Sequence, residues 1–138
     1  MKLIQIAIIC LLPFALNLQA AGNPSAEGAS VYIISPVHGE VVGTRFKVTF
    51  GLSGMGVAPA GVDKEKTGHH HLLIDTDLPD LDRPIPADDQ HRHFGGGQTE
   101  VMVELAPGKH TLQLLLADFA HRPHSPPVMS EQITIIVR

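Results

Sequence analysis

Nine histidines punctuate this 138-residue sequence, and eight of them lie beyond residue 68. Three are consecutive, in TGHHHLLIDTD (67–77). Side chains alternate across an extended strand, so His69, His71, Leu73 and Asp75 are expected on one face, and His70, Leu72 and Ile74 on the other. The H-x-H spacing sets two Cα atoms about 7 Å apart on one face, close enough for both imidazoles to meet one metal ion. A second H-x-H, His91 and His93, stands in QHRHFGGG, and a further pair, His121 and His124, in AHRPHSPPVMS. Three or four neutral imidazoles suit Cu(II), Zn or Ni. Met55 and Met129 add soft donors that favour Cu(I). Asp75 or Asp118 could orient an imidazole from just outside the coordination sphere. His70 shares its face with core leucine and isoleucine and reads as a packed residue. His38 in a turn and His110 at a strand start read as structural.

Other chemistries find weaker signals. The acidic stretch DTDLPDLDRPIPADD (75–89) offers oxygen donors for calcium. It lacks the glycine and closing glutamate of an EF-hand loop, so its aspartates read as turn caps. GGGQTE is not a G-x-x-x-x-G-K-[ST] phosphate cradle, and its glycines read as a bulge or turn before a strand. None of Ser35, Ser53, Ser125 and Ser130 lies in a G-x-S-x-G elbow, so a non-catalytic role is favoured over an enzymatic one. A metal site with an open position would leave a small metalloenzyme as a third reading.

The elements that must position these residues are short apolar segments between Gly/Pro punctuation. SVYIIS (30–35), TRFKVTFGL (44–52), HHHLLID (69–75), QTEVMVEL (98–105), HTLQLLLAD (110–118) and EQITIIVR (131–138) read as strands. TRFKVTFGL alternates Phe46, Val48 and Phe50 against Arg45, Lys47 and Thr49. No segment holds helical periodicity over three turns. About seven strands in some 110 residues predict an all-β, immunoglobulin-like antiparallel β-sandwich, with APGKH (106–110) as a tight hairpin turn. Three long connections, 53–68, 76–97 and 119–130, carry most of the Gly, Pro, Asp and His. Loops at one end of a sandwich converge, which would bring the histidine pairs together.

The first twenty residues, MKLIQIAIICLLPFALNLQA, have one positive charge, an apolar run broken by Pro13, and a small residue at the end. That is the layout of a cleaved secretory signal peptide, with the cut near residue 20. The expected divisions are therefore 1–20 signal peptide, 21–29 flexible lead-in and 30–138 one sandwich domain. The single cysteine, Cys10, falls within the leader, so the exported chain has neither disulfide nor thiolate chemistry. Its formal charge changes from −4 to −5 on loss of Lys2. With no basic patch, nucleic acid is not an expected partner. No membrane span is expected after cleavage, and the location is periplasmic or secreted.

GVDKEKTGHHHLLID, PIPADDQHRHFGGGQTE, LAPGKHTLQLLLAD and HSPPVMSEQITIIV together resemble the bacterial DUF4399 family of small exported domains of unassigned function. The resemblance covers roughly residues 55–138 and implies export without supplying an activity. The residues themselves predict an exported protein that binds copper first and zinc second, through His69, His71, His91 and His93 with His121 or His124. That reading implies metal handling in the periplasm, a metal ion as ligand and a protein partner the sequence does not identify. The contrasting reading is a structural, adhesion or accessory module whose histidines tie loops together.

Overall fold

The computed structural model describes residues 21–138. The leader expected over 1–20, with Cys10, lies outside the described residues. No helix occurs among the described residues, which form nine strands in two sheets.

The smaller sheet has the order β1 (Ser30–Ser35), β3 (Arg45–Ser53), β7 (Glu100–Glu104), all antiparallel. The alternation of β3 decides which way it faces: Phe46, Val48 and Phe50 are buried, while Arg45 and Lys47 are exposed. The larger sheet runs β2 (Val41–Val42), β9 (Ile133–Val137), β8 (Gly108–Ala117), β5 (Thr67–Ile74), β4 (Gly56–Val57). The three-residue β6 (His91–His93) also pairs with β5. Val31, Phe46, Val48, Phe50 and Val103 from the first sheet meet Leu72, Ile74, Leu112, Leu114, Leu116 and Ile135 from the second. Burial of apolar area between the sheets is the main force holding them together.

The sandwich is as expected, and three features of its wiring are not. APGKH is not a hairpin turn. β7 pairs with β3 and β8 pairs with β5 and β9, so this turn carries the chain from one sheet to the other. The β2–β9 and β4–β5 pairings are parallel, not antiparallel. β2, β4 and β6 are too short to display alternation, and all three lie in stretches that read as connections.

The larger sheet is buried on both faces where it matters. Leu73, Leu115 and Ala117 point outward from the main core and are covered by Ile85, with Leu81 packed alongside. The 75–90 connection is thus a lid over the outer face of β5 and β8. It is anchored by Ile74 N donating to the Gln90 carbonyl and by Ile85 N donating to the His121 carbonyl. The 21–29 segment is also tied to the domain, with Ser25 N donating to the Ser125 carbonyl and Ser125 N to that of Asn23.

Candidate metal centre

β5 splits the triple histidine. Gly68, His70, Leu72 and Ile74 face the inter-sheet core; His69, His71 and Leu73 face the lidded side. All three imidazoles are fully buried. His70 packs beside Phe50, ring centroids 5.1 Å apart, as its shared face with the core residues leads one to expect.

The register of β5 gathers the others. β6 sets His93 opposite His71, and β8 sets Ala117 opposite His69 and Leu115 opposite His71. Directly paired residues bring side chains within about 5 Å on one face, so His93 meets His71 as a consequence of pairing. Gly95 makes room for the His93 ring: a Cβ there would lie 2.3 Å from His93 Cε1. His121 arrives from the turn after β8. That turn is closed around the buried Asp118, whose Oδ1 accepts from Ala120 N (2.9 Å) and Arg122 N (3.0 Å). Asp118 Oδ2 accepts from Asn23 N at 3.0 Å. The Asp118 carbonyl takes His121 N, and Asp118 N donates to the Arg122 carbonyl.

His69 Nε2 and His71 Nε2 are 3.1 Å apart. One ring nitrogen each from His69, His71 and His93 lies within 4.8 Å of the others. His69 and His71 are buried while His93 is exposed, so the cluster runs from the interior to the surface. The His121 ring lies beside the group, its centroid 4.6 Å from that of His93, 5.1 Å from His69 and 6.1 Å from His71. No carboxylate belongs to this group.

Burial and mutual repulsion keep these rings neutral. His69 is lowered to about 4, first by burial and then by His93 and His121, against the pull of Asp118. His71 is lowered to about 2, first by burial and then by His69, His93 and His121. His93 is lowered by burial and by His121. Neutral imidazole is the form that donates a lone pair to a metal. The Nδ1 atoms of His69 and His71 are buried and have no hydrogen-bond partner in the protein. His124 Nε2, outside the cluster, is likewise buried without a partner. By the convergence of their ring nitrogens, His69, His71 and His93 form a group that could hold a metal ion.

The remaining sequence candidates lie elsewhere. His91 shares a strand with His93, but its Nδ1 is engaged by Asp88 Oδ1 at 2.8 Å, and it stands opposite Leu73, one pleat further along. His124 is on the opposite face of β5: its Nε2 is 2.7 Å from where a Gly68 Cβ would sit, and its Nδ1 is bonded to the Asn23 carbonyl. Asp75 takes His110 Nδ1 (2.6 Å) and Thr111 N (2.8 Å), so the imidazole it orients is His110 and not one of the cluster. Met55 packs against the inter-sheet core. Met129 is exposed beside Leu115, its partner in an isolated bridge. Asp118 closes the turn that carries His121 and acts on His69 through its charge. The acidic stretch caps its own turns, with Asp80 accepting from Asp82 N and Asp88 from Gln90 N. The glycines of GGGQTE form a turn, with Gly97 at φ 81°. Sequence reasoning missed Gly95 and the lid residues Leu81 and Ile85, for which only the GGG run and an isolated apolar pair gave any sign.

A family described as a domain of unknown function, DUF4399, matches residues 48–138. That span includes every member of the histidine cluster. Neither a curated protein nor a solved structure matches the chain. No helix among the described residues is long and apolar enough to cross a membrane.

Proposed function

The chain belongs to the DUF4399 family, and from the geometry of its histidines we propose that it binds a transition-metal ion through His69, His71 and His93. The supporting observation is the convergence of their ring nitrogens within 4.8 Å. Copper is the first candidate and zinc the second, both metals that imidazole donors suit. The leader-like stretch over residues 1–20 supports export, and with it a role in metal handling outside the cytoplasm.

Titration of the untagged protein with Cu(II) and Zn(II) tests the reading. One-to-one binding at micromolar affinity or tighter is expected, and His69→Ala/His71→Ala should abolish it. Binding no tighter than that of a histidine-matched unfolded peptide would remove the proposal.

A second reading rests on a different set of residues. His38 accepts from Thr134 N, His110 joins Asp75, and His124 joins Asn23. These three histidines tie loops and termini, as a structural or accessory module would require. That reading predicts that His→Ala changes at His69 and His71 lower the melting temperature while added metal leaves it unchanged.

A further inference from the structure

We propose that His121 is a fourth ligand, making the centre a closed, tetrahedral four-imidazole site suited to a d10 cation such as Cu(I) or Zn(II). This rests on the metal-binding reading above and specifies its coordination.

The first observation is the spacing of the rings. With metal–nitrogen bonds of about 2.0–2.1 Å and a ring centre about 1.1 Å beyond the nitrogen, four tetrahedral imidazoles place every pair of centroids about 5.2 Å apart. A square-planar set would instead give four separations of about 4.5 Å and two of about 6.4 Å. All six pairs among His69, His71, His93 and His121 are in ring contact. His69–His71 is 5.0 Å, His69–His93 4.9 Å, His69–His121 5.1 Å and His71–His93 5.0 Å. His93–His121 is 4.6 Å and His71–His121 6.1 Å. Four of the six lie within 0.3 Å of the tetrahedral value; 4.6 and 6.1 Å, both to His121, depart from it, and the pair of equal long diagonals that a square requires is not present. Copper(II) prefers tetragonal nitrogen sites, whereas zinc takes tetrahedral ones without electronic penalty.

The second observation concerns the backbone. His121 has φ 63°, in the left-handed region. Lys66 and Asp75 share this region, and histidine tolerates it better than most non-glycine residues; strain of this kind collects at functional positions. Glycine would adopt this turn more easily. The Asp118 carboxylate and the bond from Ile85 N to the His121 carbonyl hold the turn in place. This turn brings the His121 ring to within 4.6 Å of His93 and 5.1 Å of His69, centroid to centroid.

A site with four protein nitrogens leaves no position for a water or a substrate. Its chemistry is to hold an ion or pass it on, in contrast to three-histidine sites that activate bound water.

Cobalt(II) loaded into the full chain, with azide as probe, tests this. The expected result is an intense tetrahedral visible spectrum that azide does not alter. In His121→Gly, which removes the ring and the strain together, azide should change the spectrum, free imidazole should restore it, and affinity should fall about tenfold or more. His121→Asn, whose residue type tolerates the left-handed region, provides a second variant should the glycine chain fail to fold. An azide-sensitive wild-type spectrum, or an unchanged spectrum and affinity in both variants, would overturn the fourth ligand alone. Failure of wild-type protein to bind Co(II) in a His69- and His71-dependent way would overturn the metal-binding reading as well.

Discussion

Gly95 shows how closely single residues fit the histidine cluster. A methyl group there would stand 2.3 Å from Cε1 and 2.6 Å from Nε2 of His93. His93 is exposed and its ring can swing aside, so the fold survives at the expense of the geometry. Gly95→Ala is therefore expected to weaken zinc binding by about tenfold, about 1.4 kcal/mol, with the melting temperature nearly unchanged. Isothermal titration beside a thermal scan checks both halves; a large loss of stability with intact affinity would contradict it. At this scale the sequence was legible where strand alternation governs. His69 and His71 part from His70 by period alone. The fate of His91 was not legible, because it turns on a local bond: Asp88, three residues earlier, engages its Nδ1. Nothing in the residue types of His121 and His124 tells which face of β5 each will reach.

Among the elements, the turn after β8 carries the most consequence for the site. Asp118 accepts three backbone N–H groups, from Asn23, Ala120 and Arg122, and is 2% exposed. Asp118→Asn keeps the shape but aims an amide N–H at one of those donors. The expected cost is about 1–3 kcal/mol, together with weaker metal binding as the His121 turn loosens. A lowered urea midpoint measures the first effect and titration the second. An unchanged midpoint would show that the carboxylate is not what closes the turn. The strands β1, β3, β5, β7, β8 and β9 could be read from alternation or apolar runs flanked by Gly and Pro. β6 could not, since three residues show no period; it is defined by pairing to a strand some twenty residues away. The passage from β7 to β8 looked like a hairpin because its turn chemistry is that of one. Which sheet each flanking strand joins is decided by long-range packing, and APGKH carries no information about that.

For the molecule as a whole, the cluster makes stability depend on pH in the metal-free state. His69 and His71 take up protons in the folded protein only near about 4 and about 2, far below the ordinary value of 6.5. The unfolded chain takes them up as the pH falls through 6.5. Between 6.5 and about 4 it binds more protons than the folded state, so stability falls with decreasing pH across that window. His70 and His93, also lowered, add to the effect. His110 works in the opposite direction: Asp75 raises it, and that contribution is complete below 6.5 and lost as the pH rises through the raised value. Four lowered groups outweigh one raised group. Urea midpoints in the presence of a chelator should therefore drop steadily from pH 7 to pH 4, and a flat profile would refute the neutral-cluster account.

The same arrangement can also be viewed as a cross-link. Beyond Cys10 the chain contains no cysteine, so no covalent bridge constrains the domain. An ion shared by His69 and His71, His93 and His121 would pin three distant stretches of chain at one point, closing two loops of roughly twenty to thirty residues each. Such a clip removes freedom from the unfolded chain much as a disulfide does, yet it can be withdrawn by a chelator. The 75–90 lid lies inside the first of these loops, between His71 and His93. Zinc should slow cleavage within residues 75–90 by a protease acting on transiently opened chains, and chelation should restore the original rate. Equal cleavage with and without zinc would mean that the histidines do not act as a clip.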